Sequence, residues 1–454
     1  MPGNLSFADL EKAAAAGEID TVLVGIVDMQ GRLMGKRFHA AHFLASGHEE
    51  THCCNYLLAT DVEMATVQGY KATSWEKGYG DYTVKPDLST LRRIPWLPGT
   101  ALCLADLEDH HSHALVPHAP RTILRRQVER ARAMGLEPMA ATELEFFLFE
   151  RSFEQLFDDG YRDLRTLGRH NADYSIFGTT KEEGLMRAIR NGLHGAGVPV
   201  ENSKGEAEAG QEEINVRYGP ALDTADDHAV TKNGCKEIAH AHGRALTFMA
   251  KYATDRAGSS SHVHLSLWRD GANAFRDPDA PHGMSRTMRH ALAGMLAHAE
   301  DITYFLAPYV NSYKRFRVGL FAPTKAVWSL DNRTAGFRVC GEGTKAVRIE
   351  CRIGGADLNP HLALAALLAA GLDGIERKLE LEPPATGDVY RADTVREIPK
   401  TLDKAAERMR GSAMLRAAFG EDVIDHYHRA ALWELEERDR VVTDWEVARG
   451  LERA

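Results

Sequence analysis

Long apolar runs are missing from this chain. The most apolar stretch, residues 362–372, is too short to span a bilayer, which argues against a membrane partner. The opening MPGNLSFADLEKAAAAGEID has neither a basic start nor an apolar run, so no secretory signal is expected there. Cysteine is sparse. Six are scattered with no C-x-x-C pair, and the adjacent Cys53 and Cys54 cannot easily bond each other. A reducing, cytoplasmic setting is expected. Positive charge is not in excess. The formal net charge of −10 argues against a nucleic-acid partner, which needs clustered Lys and Arg. There is no P-loop and no G-x-G-x-x-G, which argues against the nucleotide sites those motifs build. Internal repeats and low-complexity tracts are also absent.

What remains is an ordinary globular composition over 454 residues, enough for two or three domains. A helix over residues 7–16 leads into two apolar runs around Asp28-Met29-Gln30-Gly31, a predicted β-hairpin. Short strands follow, the last over residues 101–107. Residues 108–120, rich in His and holding two prolines, read as a linker. The boundary is placed near residue 112, giving domains 1–111 and 112–454. Beyond it, Pro120 opens a helix that Gly135 closes. Thr180 to Glu183 and Thr224 to Asp227 have the form of capping boxes. Asn359-Pro360 opens an Ala/Leu-rich helix, and the tail from about residue 398 is helical. The class is α+β, a small N-terminal sheet domain followed by a larger one.

Four predicted strands carry polar residues on one face. In ATELEFFLFE, alternation puts Glu143 and Glu145 on one side and Thr142, Leu144 and Phe146 on the other. Two carboxylates on an otherwise apolar strand repel each other and are costly to bury without a cation. A solvated strand face is the bland alternative. In GEAEAGQEEINVRYG, Glu213, Asn215 and Arg217 share a face, with Glu206 upstream of the Gly210-Gln211 turn. In SSSHVHLSLW, His262, His264 and Ser266 share a face. In KAVRIECRIGG, Arg348, Glu350 and Arg352 do so, which is either an ion-pair ladder or a phosphate-binding fork beside a metal. Pooled, these strands offer several carboxylates with few imidazoles, a set that suits Mg²⁺ or Mn²⁺ better than zinc. Arg315, Arg333 and Arg338 follow nearby. Divalent metals with arginines point to phosphoryl transfer. Asp106, Asp109, His110, His111 and His113 also look like a metal cluster by composition. Their spacing follows no ligand pattern, and a solvated loop is expected instead.

Taken together, these segments resemble glutamine synthetase. The matching pieces run in the family's order: GYGDYTVKPD (78–87), TELEFF (142–147), AGQEE (209–213), HVHLSL (262–267), NSYKRF (311–316), DNRTAGFR (331–338), and KAVRIECR with DLNPHLALAALLAAGLDGI (345–375). Any one is weak; seven in order are specific. The resemblance implies a β-grasp-like N-terminal domain and a catalytic domain whose curved antiparallel sheet is flanked by helices. It implies one metal site at Glu145, Glu206 and Glu213 and another at Glu143, His262 and Glu350, with two or three ions in all. Glutamate binding falls to Gly258, Arg315 and Arg352, and ATP and phosphate contacts to Tyr218, His264, Ser266, Arg333, Arg338, Lys345 and Arg348. Asp81 matches an acidic position that the N-terminal domain lends to a neighbouring subunit, which implies a homo-oligomer, a dodecamer of two hexameric rings.

Two departures concern the nitrogen donor. Where glutamine synthetases carry a glutamate that guards the site and helps deprotonate ammonium, this chain has Phe321. The asparagine five residues before the first histidine is Ala257 here, and the DGSS segment of the ammonium pocket is missing. The resemblance therefore points to the γ-glutamyl-amine ligases of the superfamily, γ-glutamylethanolamide synthetases first and γ-glutamylpolyamine synthetases second. The expected reaction joins glutamate to a small primary amine through γ-glutamyl phosphate. Glu206, Asp61 or Asp81 is expected to take the amine's proton. The alternatives are a glutamate–ammonia ligase, a non-catalytic structural relative and a phosphagen-type kinase, all separated by which amide forms and from which amine.

Overall fold

The computed structural model describes residues 3–392 and 395–454. The first sheet is built from β1 (Thr21–Val27), β2 (Leu33–His39), β3 (Thr51–Cys54), β4 (Asp81–Pro86), β5 (Arg92–Arg93) and β6 (Thr100–Asp109), in the order β2-β1-β6-β4-β3 with β5 beside β6. The predicted hairpin is β1 against β2, and β1 runs parallel to β6 at its centre. This arrangement is the expected β-grasp-like sheet.

The second sheet contains β7 (Glu137–Phe149), β8 (Val200–Gly205), β9 (Gln211–Val216), β10 (Gly219–Pro220), β11 (Ala245–Thr247), β12 (Ser261–Arg269), β13 (Ala272–Asn273), β14 (Trp328–Leu330), β15 (Phe337–Cys340) and β16 (Arg348–Cys351). Its main path is β14-β15-β16-β12-β7-β9-β8. The pairings are antiparallel as expected, except that β14 and β15 run parallel. Helices pack on one side. The helix Pro360–Glu376 is buried along nearly its whole length. Asn359 starts it by accepting from the His361 and Leu362 amides, and its side-chain amide donates to the carbonyls of Asp28 and Met29. The β1–β2 turn is thereby pinned to the central helix. Gly31 in that turn has φ +79°, and a Cβ there would come within 3.0 Å of the Asn359 Cα. Only glycine combines that backbone with that approach.

Local signals failed at both predicted capping boxes. Thr180 ends a short helix, Ile176–Thr180, and its hydroxyl donates back to the Ile176 carbonyl; the next helix, Glu183–Gly195, begins without a side-chain cap. Thr224 lies inside the helix Ala221–Ala241, which Pro220 precedes, and its hydroxyl donates to the Ala140 carbonyl. A tertiary partner outcompeted the local one in the second case. The linker is shorter at its front than expected, because β6 runs to Asp109 and Glu108 pairs with Leu115. Among the described residues no helix is long and apolar enough to cross a membrane.

Candidate active site

Strand register assembles the site. On β12 and β7, His262 lies opposite Glu143; on β7 and β9, Glu143 lies opposite Asn215 and Glu145 opposite Glu213. On the other side of β12, His264 lies opposite Glu350, which in turn lies opposite Arg338 on β15. Because side chains alternate along a strand, these residues all emerge on one face and meet their cross-strand neighbours. Behind that face, Leu144, Phe146, Leu148 and Ile214 belong to one apolar cluster, and Val263, Leu265, Ile349 and Cys351 to the larger core. The solvated alternative for β7 is thus excluded: Glu145 is only 7% exposed.

The polar face floors a cavity of about 1080 Å³. Three groups of side chains at or just beneath this face bring ligand atoms within 4.8 Å of one another: Glu145, Glu206 and Glu213; Glu143, Glu213 and His262; and Glu143, His264 and Glu350, the last fully buried. The first is the set expected from the resemblance. The second expected set is divided. Glu143 joins both remaining groups, His262 partners Glu213, and Glu350 partners His264, with His262 Nδ1 3.8 Å from the Glu350 carboxylate.

These residues fit divalent cations. Glu145 is pushed well above the usual carboxylate range by burial and by the Glu206 and Glu213 carboxylates. Burial, Glu143 and Glu206 push Glu213 up to about 8. Burial also acts against Glu143, but hydrogen bonds from His262 at 2.8 Å and His264 at 2.9 Å outweigh it and hold that carboxylate well below its usual range. For Glu350, Arg352 and the two histidines overcome burial and bring it to about 2. The imidazole of His262 is held below its ordinary value by burial and by Arg352. Its Nδ1 faces Glu143, while Nε2 is buried with no hydrogen-bond partner. An orphaned buried nitrogen beside crowded carboxylates is what a ligand set looks like without its cation.

Glu145 and Glu213 have folded values raised above the unfolded value of about 4.3. They favour folding fully only below that value, and the contribution is lost as pH rises through about 8 for Glu213. Glu143 and Glu350 are depressed, so their contribution changes only in acid. Between pH 6.5 and 8.5 the metal-free protein should therefore lose thermal stability, and Mn²⁺ should raise Tm more at pH 8.5 than at pH 6.5. Differential scanning calorimetry with and without chelator tests this; an equal Mn²⁺ shift at both values would contradict it. Glu212, pushed to about 9 by burial and by Glu182, has the same sign but belongs to none of the three groups, so the metal should restore only part of the loss.

Around the carboxylates lie cations. Arg333 and Lys345 line the cavity with no ion-pair partner among the described residues. Arg338 bonds Asp331 and reaches the Glu350 carboxylate at 3.0 Å. Arg348 donates to His264 Nδ1 at 3.1 Å, and Arg352 pairs with Glu350. Tyr218 at the cavity rim stacks on Trp268, with centroids 5.9 Å apart and planes 24° apart. Trp268 in turn donates to Ser266 at 3.0 Å. Phe321 sits on the wall, half exposed, with φ +51°, a backbone cost of about 1–3 kcal/mol for a non-glycine residue.

Three expected residues stand elsewhere. Arg315 lies behind the wall: its guanidinium donates to Ser260 Oγ at 3.1 Å and to the carbonyls of Ile353 and Gly354. Gly258 does line the cavity, and a Cβ there would strike Arg315 Cγ at 2.3 Å, so the glycine admits the arginine. Asp81 lies exposed at the start of β4, opposite Cys54 and off the cavity wall. Asp61 is also off this wall, accepting from Trp433 at 2.9 Å. Sequence reading missed three wall residues. Trp268 continues the period-two series 262, 264, 266, and Lys204 precedes Glu206 by two residues and pairs with it, so both were readable. Tyr174, from a loop, gave no periodic signal. In the His-rich stretch, Asp106 pairs with Arg121 and Arg125, and Asp109 accepts from Ser112.

A sequence model of the glutamine synthetase catalytic domain matches residues 117–450. The chain belongs to the glutamine synthetase family. Membership makes it an ATP-dependent ligase and implies ATP and a divalent metal as its cofactors. The chain is 49% identical to γ-glutamylethanolamide synthetase GlnA4 of Streptomyces coelicolor, covering 99% of this chain and 96% of that protein. It is 37% identical to a glutamate–isopropylamine ligase of a Pseudomonas species, covering 96% and 95%. A glutamine synthetase of Thermus thermophilus is 39% identical over 73% of this chain and 75% of its own length. Among solved structures, apo GmaS superposes with a TM-score of 0.86 at 26% identity, covering 98% of this chain and 100% of that one.

Proposed function

We propose that this glutamine synthetase relative joins the γ-carboxyl of glutamate to a small primary amine of the ethanolamine type, with ATP consumed and γ-glutamyl phosphate as the intermediate. The observation that carries the reading is a cavity with the carboxylates, histidines and free cations of the family but with the Phe321 ring where the ammonium-guarding glutamate is expected. Two relatives named for ligation of organic amines support it. Phosphate release from ATP and glutamate across a panel of amines tests it.

Two or three Mg²⁺ or Mn²⁺ ions, held by the three groups above, would neutralise phosphate charge. The chain's own residues do the rest. Arg333 and Lys345, unpartnered, receive phosphate oxygens, with Arg338 and Arg348 alongside them. Tyr218 on Trp268 and Ser266 beneath them form a platform for the nucleotide base. Arg352, whose Nε is buried without a partner, aims a guanidinium edge at the glutamate carboxylate. Gly258 keeps that end of the cavity open, and Arg315 acts by bracing Ser260. Glu206, half-buried on the wall, takes the proton of the attacking amine.

Arg352→Lys keeps the charge and loses the fork. Its kcat/KM for glutamate should fall about 10–100-fold through KM, the value of one or two charge-assisted hydrogen bonds. Steady-state kinetics at saturating ATP decide it, and an unchanged KM would remove Arg352 from the glutamate site. The reading extends to a division at residues 1–111 and 112–454, a cytoplasmic location, and a dodecamer of two hexameric rings in which Asp81 serves a neighbouring site.

A further inference from the structure

A second cavity, of about 50 Å³, opens between the β1–β2 turn, the segment after β3, residues 304–309 and the helix Glu421–Arg440. Six aromatic residues line it: Tyr70, Tyr304, Phe305, Tyr309, Tyr427 and Trp433. Two carboxylates share the wall, Asp61 and Glu434, and among the described residues no Lys, Arg or His does. Thr60 also lines it. That residue is 1% exposed, and its hydroxyl is buried with no hydrogen-bond partner. Asp61 is held in place, with one oxygen accepting from Trp433 and the other from the Glu63 and Ala65 amides. Glu434 accepts from the Val310 amide at 3.2 Å.

The wall selects by charge and by size. An anion would meet two carboxylates on the wall, while the nearby Arg32 guanidinium is already taken up by Asp28, Gln30 and the Asp61 and Val62 carbonyls. A neutral apolar guest would leave those carboxylates and the Thr60 hydroxyl uncompensated in a buried place. A bare metal ion would find too few oxygen donors among six rings. An organic ammonium satisfies all of it, since its N–H groups can serve the carboxylates and the hydroxyl while its charge and carbons lie against aromatic faces. At about 10–15 Å³ for each water-sized group, the volume admits roughly four heavy atoms. Burial pushes the Glu434 carboxyl up, and Asp61 adds to it, a state that a neighbouring cation would reverse.

We propose that this cavity is a second, non-catalytic binding site for a small primary alkylammonium ion. The wall alone assigns this site, whichever amine the ligase consumes. The site also has a line to the catalytic cavity. Glu434 holds the first amide of the short helix Val310–Tyr313, and two residues beyond that helix Arg315 braces Ser260 and packs under Gly258.

Ethylammonium chloride is the probe, titrated calorimetrically into the full chain without ATP or glutamate, with potassium chloride at matched ionic strength as the control. Saturable binding is expected. Glu434→Gln, which retains an acceptor for the Val310 amide, and Thr60→Val, which removes only the hydroxyl, should each weaken it about tenfold or more. Phe321→Ala, at the catalytic cavity, should leave it in place. Either of the first two variants decides the matter if its Tm matches wild type. Absence of saturable binding, wild-type affinity in a folded Glu434→Gln or Thr60→Val variant, loss in Phe321→Ala, or equal binding of potassium would each overturn the assignment.

Discussion

Replacing Glu145 should abolish ligase activity while leaving the fold standing. The residue is buried opposite Glu213, and Glu206 completes the group. Its carboxyl is crowded by two others, so its presence costs the metal-free protein stability and is justified only by a cation. In Glu145→Ala, kcat should fall at least ~100-fold, since even a partner one shell further out is typically worth 10–100-fold. The far-ultraviolet circular dichroism should not change. The alanine does strip the Ser260 amide of its acceptor at 2.7 Å. Glu145→Gln keeps an acceptor there and is the cleaner variant. In chelator at pH 8.5 its Tm should equal or exceed that of wild type by about 2 °C, with the Mn²⁺-induced rise reduced. An active Glu145→Gln enzyme, or one whose Mn²⁺ response is intact, would remove this carboxylate from the metal group.

The second large effect concerns the nitrogen donor. Ammonium is compact and needs several acceptors close around it, whereas the Phe321 ring offers an apolar wall and a π-face. Wild type should use ethanolamine with a kcat/KM at least ~10-fold above that for ammonia, given that each methylene in an apolar pocket is worth about 10–200-fold. Methylamine should fall between them, and putrescine below ethanolamine. Phe321→Glu should move the ratio toward ammonia by about tenfold or more. The backbone there has φ +51°, and any L side chain meets the same cost, so the exchange tests the ring and not the turn. A wild-type enzyme that prefers ammonia would leave an ordinary glutamine synthetase.

Much of this site was readable before any coordinates, because alternation along a strand is a local property. Glu143 with Glu145, and His262 with His264 and Ser266, could be assigned to one face from spacing, and the structure places them there. Pairing between strands is not local. Nothing in KAVRIECR says that Glu350 stands opposite His264 and 3.8 Å from His262, so the way these side chains group had to come from register. Arg315 illustrates another limit. An arginine in a loop after a short helix looks the same in sequence whether it meets solvent, substrate or, as here, three oxygens of its own chain. The capping boxes failed for a related reason, since Thr224 found a carbonyl 84 residues away. The elements themselves were legible where periodicity was long, as in the hairpin and the helix that Asn359 opens.

The alignment of β12 with both of its neighbours has an evolutionary consequence. Deleting one residue just before His262 would present Val263 and Leu265 to the cavity and push His262 and His264 into the apolar layer. Folding and catalysis would fail together, so no inactive but well-folded intermediate exists through which such a change could drift. Loops such as the one bearing Phe321 are under no such joint constraint. Lineages of this fold are therefore free to acquire new amine acceptors by altering loop length and composition, while the spacing of the ligand-bearing strands is held fixed by selection for folding alone.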